Sequence, residues 1–146
     1  MIQRNNPWQS YRKVSIQTAS AGHLVLMLYD GAISFLERGL TGFASTNPLE
    51  FNQTINNNVI RAQAILREMN ARLDMERGGE ISENLRGLYN YFNRRLQQAN
   101  LKKKKEPIEE VLAHLRVLRE GWSEMLAKGG GNNNTPEPET AGLEAA

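Results

Sequence analysis

Apolar residues recur along this chain in steps of three and four over four long stretches, and no alternating strand pattern competes with them. The first stretch, from about Ala21 to Ser45, sets Leu24, Val25, Leu28, Ala32, Phe35, Leu36 and Phe43 in one stripe. Tyr29, Ile33 and Leu40 widen it well past the ~100° of an ordinary surface helix. Such a helix is either packed on two sides or has a partner to bind. The second stretch presents Phe51, Ile55, Val59, Ala62, Leu66, Met69 and Leu73, a narrow bundle-like seam. The third carries Ile81, Leu85, Leu88, Phe92, Leu96 and Ala99, with Tyr89 alongside. The fourth carries Ile108, Val111, Leu112, Leu115, Leu118, Trp122, Met125 and Leu126.

Helix signals separate these stretches. Ser20 is placed to cap the first helix. Asn47 caps the second, Pro48 takes its first position, and Glu50 stands at capping-box spacing. A polar connection, Asp74 to Arg77, and then Gly78-Gly79 read as the stop after the second helix, and Pro107 opens the fourth. Short connections between long helices favour antiparallel neighbours. The expected fold is all-α: an antiparallel up-down four-helix bundle over residues 20–128. A short N-terminal segment, helical or extended, precedes it (1–19), and a disordered tail follows (129–146). In the front segment Pro7 can start a helical turn that sets Trp8 and Tyr11 on one apolar side. A turn or two of isolated helix is marginal in water, so it must dock, exchange with a partner or stay mobile.

At 146 residues the chain has one domain's length and enough material for a core without staples. It contains no cysteine, which excludes disulfides, a thiol nucleophile and a thiolate-held metal. The front segment lacks a secretory apolar region, and the longest apolar run is only Leu24 to Tyr29, too short to span a membrane. A soluble cytoplasmic protein without membrane insertion is expected. Residues 129–146 hold three Glu and no Lys or Arg, so the formal +2 of the whole chain leaves +5 on residues 1–128. The run Lys102 to Lys105 contributes to that charge. It reads first as a solvated helix end, where cations suit the helix dipole, and secondarily as a nucleic-acid footprint.

Candidate chemistry is sparse. A di-metal bundle needs Glu-x-x-His pairs facing inward. His114 follows Glu110 by four residues and Glu109 by five, and it falls on the polar side of its helix; His23 has no acid three residues before it. Gly78-Gly79 has neither the preceding strand nor the Lys-Ser/Thr continuation of a phosphate loop. Asp30 lacks an acid, base or nucleophile partner at readable spacing. The reading is no catalytic residue, no metal and no cofactor. What remains is surplus apolar surface: Ile60, Ala64 and Ile65 on the second helix, Tyr91 beside the third stripe, and Val117 opposite the fourth. Scattered, these are ordinary. Contiguous, they mark a groove for a partner's amphipathic segment. The candidate partner contacts are the off-core positions Ile33, Leu40, Ile60, Ile65 and Val117.

Several motifs in order resemble the FliS family, the flagellin-specific export chaperones of bacterial flagellar type III secretion. They are LMLYDGA (Leu26 to Ala32), GGEISENLRGLYNYFNRRLQQAN (Gly78 to Asn100), Ile108-Glu109-Glu110-Val111 and Trp122. The likeness runs from about Trp8 to Met125. It departs from the family pattern where Thr18-Ala19-Ser20 is followed by Ala21 in place of proline. The resemblance implies a helical bundle that binds the disordered C-terminal segment of flagellin, prevents its premature polymerisation and delivers it to a flagellar export gate component. It also implies that the N-terminal segment lies over part of the client groove and serves in the hand-over, which adds Trp8 and Tyr11 to the partner-binding candidates. Two other readings stand beside it: a helical adaptor or dimerisation module using the same groove, and a basic nucleic-acid binder resting only on Lys102 to Lys105.

Overall fold

The computed structural model describes residues 20–131, and these residues form helices joined by short turns. Helix α1 spans Ala21–Thr41 and runs into a 3-10 turn, Gly42–Ala44; α2 spans Pro48–Ala71, α3 Gly79–Lys102 and α4 Glu106–Gly131. Among the described residues there is no strand.

Local chemistry sets these limits. The Ser20 hydroxyl accepts from the His23 amide at 3.2 Å and starts α1. The Asn47 side chain accepts from the amides of Leu49 and Glu50 at 2.9 and 3.0 Å and starts α2. Glu50 closes this cap through a relay: the Ser45 hydroxyl donates to its carboxylate, and the Asn47 amide donates to Ser45. The first helix gives way to the 3-10 turn short of Ser45, and at Gly42 it packs closely on the side chains of α2. A side chain there would come within 3.0 Å of Ile55 and Thr54.

The connection between α2 and α3 includes the polar stretch Asp74 to Arg77 that the sequence marks, but the glycine pair plays another part than expected. Helix α2 ends at Ala71, and a turn built by Asp74 follows. Its carboxylate accepts from the amides of Glu76 and Arg77, and its carbonyl accepts from Gly78. The Ser82 hydroxyl donates to the same carbonyl at 2.9 Å and occupies the space a side chain at Gly78 would need. Gly79 then takes φ +54°, which suits glycine. The glycine pair therefore opens α3; it does not close α2. At the other end of α3, Lys103 adopts a left-handed conformation (φ 53°), and the Lys104 amide returns to the Ala99 carbonyl at 3.0 Å. The Lys103 ammonium reaches the Asn100 carbonyl and side chain. The lysine run thus begins as a helix cap.

Helix α1 packs on α2 and α4, and α3 packs on the same two, so the four close a ring around one core. Every neighbouring pair is antiparallel. Asn56 meets Asn100 while Asn70 meets Asn90. Asp30 pairs with Arg119 while Glu37 pairs with Arg116. Leu36, Ile55, Val59, Leu66, Phe92, Leu96, Ile108, Val111 and Leu115 are fully buried between the helices. Each such side chain contributes roughly 1.5–3 kcal/mol by leaving water. The up-down four-helix bundle is the observed architecture.

Candidate partner-binding groove

At the end of the bundle where α1 and α3 begin, the seam between α3 and α4 opens into an apolar groove of about 430 Å³. Its buried floor is Val25 and Tyr29 from α1, Met69 from α2, Tyr89 from α3 and Trp122 from α4. Its rim is Ile81, 60% exposed, with Val117 (71%) and Met125 (38%) across from it. Large apolar side chains this accessible, grouped around one concavity, go beyond scattered exposure.

Polar ties explain where the seam is closed. Toward the α3–α4 turn, Tyr91 and Arg95 both donate to Glu110, Arg95 at 2.8 Å. One turn further, Phe92 stacks on His114 with ring centres 5.6 Å apart. The Tyr91 hydroxyl and then Arg95 hold the Glu110 carboxyl below the usual carboxylate range. Beyond these contacts α3 and α4 face each other through the apolar residues of the groove.

The polar atoms of the floor are already engaged. The Tyr29 and Tyr89 hydroxyls share a hydrogen bond at 2.7 Å, and burial pushes both phenols up from their ordinary value. The Trp122 indole donates to the Gly22 carbonyl at 2.8 Å, which ties α4 to the start of α1. The floor therefore carries no charged group, and its hydroxyls and indole are hydrogen-bonded. Nothing in it is arranged as a nucleophile with a base, and among the described residues no group of three or more His, Cys, Asp or Glu is placed to hold a metal. The His23 ring lies 2.8 Å from the Ser20 hydroxyl, and Asp30 is occupied by Arg119.

The sequence candidates fall in different places. Val117 stands on the groove rim. Ile33 and Leu40 are half-buried against the core, and Ile33 shares its face of α1 with Asp30 and Glu37, which bind α4. Ile65 is half-buried in the seam between α1 and α2, where its tip limits the space at Gly31. Ile60 is 47% exposed but does not line the groove. Trp8 and Tyr11 lie outside the described residues. Ile81 and Met125 belong to core stripes by their spacing, yet they line the rim. Ile81 stands at the end of its stripe, which was the available signal for it; Met125 is followed by Leu126, which packs on the core, so its spacing carried no such signal.

Among the described residues, a ring of four helices with an open apolar groove, its floor hydroxyls and indole already hydrogen-bonded, defines an all-α bundle with a candidate docking surface. The family model described as flagellar protein FliS matches residues 4–129. The flagellar secretion chaperone FliS of Bacillus subtilis is 32% identical over 121 residues, 83% of this chain and 86% of that protein. That of Salmonella typhimurium is 35% identical over 124 residues, covering 82% and 90%. That of Campylobacter jejuni is 31% identical over 127 residues, covering 85% and 94%. The chain belongs to the FliS family, whose members are chaperones and not enzymes.

Proposed function

We propose that this chain is a cytoplasmic export chaperone that holds the C-terminal segment of flagellin in the α3–α4 groove, keeps it from polymerising and presents it to the flagellar export gate. The observation that carries this reading is the exposed apolar rim, Ile81, Val117 and Met125, over a floor with no chemistry of its own. A disordered client segment that folds into an amphipathic helix would cover that rim. Ordering the segment costs about 2–5 kcal/mol, which burial of a long apolar face offsets. The bundle offers further half-exposed apolar positions along its sides, among them Ile33, Leu40, Ile60 and Ile65, over which such a segment could continue.

Ser20 caps α1 within three turns of the groove-floor residues Val25 and Tyr29, and residues 1–19 precede it in sequence. Trp8 and Tyr11 in that segment are proposed as groove-covering and hand-over residues, exchanging with the client.

Titration calorimetry with a synthetic peptide of the C-terminal segment of flagellin from the same bacterium tests the function. Binding heat should accompany a gain in peptide helicity by circular dichroism. No heat and no gain in helicity would overturn the reading. A stable homodimer indifferent to the peptide would favour an adaptor.

A further inference from the structure

Five glycines lie within the helices α1, α3 and α4 at positions where added side chains can be compared with their surroundings. In α1, Gly31 and Gly39 face α2 closely: a side chain would come within 3.0 Å of Ile65 at the first and 3.4 Å of Asn58 at the second. Close packing of two helices accounts for both. Gly79 has its positive φ. Gly87 in α3 and Gly121 in α4 are different. Both are exposed and helical, and among the described residues nothing apart from the chain neighbours and the helix's own backbone lies within 4 Å of where a side chain would begin. Glycine is the poorest helix former after proline, so neither position is explained by the folded chain itself. Gly121 lines the groove; Gly87 does not.

We propose that Gly121 is the seat for a large apolar side chain of the bound segment. Val117 and Met125 stand one helical turn to either side of it, and Ile81 and Asn84 line the groove opposite. The missing side chain turns the middle of this wall into a hole between two apolar posts, the shape into which a neighbouring helix inserts a knob. Glu80 and Glu124 are exposed beside the lining residues, while Glu120 lies 3.9 Å from the Arg119 guanidinium. The charge of Glu80 and Glu124 selects an occupant whose flanks are neutral or cationic. The occupant is thus an amphipathic helix lying between α3 and α4, with a bulky apolar residue over Gly121 and no carboxylates beside it. This rests on the flagellin reading and specifies how the client is gripped.

Gly87 supplies the internal control. Gly121→Ala and Gly87→Ala should both raise the thermal unfolding midpoint, since each removes a helix glycine from open space. Only Gly121→Ala should weaken binding of the flagellin C-terminal peptide, by about threefold for one intruding methyl, and Gly121→Met should weaken it by about tenfold or more. Unchanged affinity in Gly121→Met, or an equal loss in Gly87→Ala, would overturn the seat while leaving the chaperone reading intact. Failure of the unaltered chain to bind the peptide would overturn the chaperone reading and the seat with it.

Discussion

Two residues from opposite sides of the core, Tyr29 and Tyr89, show how single groups govern this protein. Their hydroxyls satisfy each other at 2.7 Å in a site that water barely reaches. Tyr29→Phe should cost about 1–3 kcal/mol because it strands the Tyr89 hydroxyl, whereas Tyr29→Phe with Tyr89→Phe should cost less than the two single changes together. Urea unfolding of the three variants measures this. Burial raises both phenol pKa values, so the neutral pair favours folding below the unfolded value of about 10, and that contribution is lost as pH rises further. Glu110 has the opposite sign. Tyr91 and Arg95 depress its pKa, so its contribution is present above the unfolded carboxyl value of about 4.3 and is lost as pH falls through the depressed one. The stability gap between the unaltered chain and Glu110→Gln should be open at pH 6 and close in acid. A gap independent of pH would mean that the carboxylate is unpaired in solution.

At the scale of elements, the caps were legible and the pairings were not. Ser20 and Asn47-Pro48 announce their helices because capping is satisfied within three residues. The polar turn from Asp74 was legible too, but the glycine pair opens α3 where a stop was expected: Gly79 takes a positive φ, and Ser82 reaches back across eight residues to the Asp74 carbonyl. The seam between α2 and α3 was silent in the sequence. There Asn56 meets Asn100, Gln63 donates to the Asn93 carbonyl, and Asn70 accepts from Arg86. Both helices place these groups seven residues apart, in opposite order. Polar groups at heptad spacing fix register at some cost in stability. Part of that cost is local: the Asn93 side-chain oxygen is buried without a partner among the described residues. Asn93→Leu keeps the backbone carbonyl for Gln63 and should raise stability by about 1 kcal/mol, or ~3 °C in the midpoint. A lower midpoint would show that the amide has a partner.

For the whole molecule, the groove follows from how the ring of helices ends. Ion pairs from Arg116 and Arg119 lock α1 to α4, and Glu110 with Tyr91 and Arg95 locks the far end of α3 to α4. The near end of α3 is left to apolar contacts that nothing in the described chain fully covers. Ile81→Asp with Val117→Asp should lower affinity for the flagellin peptide by about tenfold or more, while shifting the unfolding midpoint little, because both side chains are exposed. Trp8→Ala with Tyr11→Ala should change that same affinity and also leave the midpoint in place. A large fall in midpoint in either pair would reassign those residues to the fold.

The sequence by itself determined four amphipathic helices, their antiparallel order and most of the core, because periodicity and capping are local properties of the chain. Its ordered motifs also carried the family. Which apolar residues stay exposed was decided only by tertiary structure. Ile33 and Val117 both sit off their main stripes, yet Ile33 is half-buried against the core and Val117 stands in solvent on the groove rim. Ile81 and Met125 follow their stripes perfectly and are exposed all the same. A stripe specifies a direction around one helix. Burial depends on whether another helix lies in that direction at that height, and distance along the chain does not encode it.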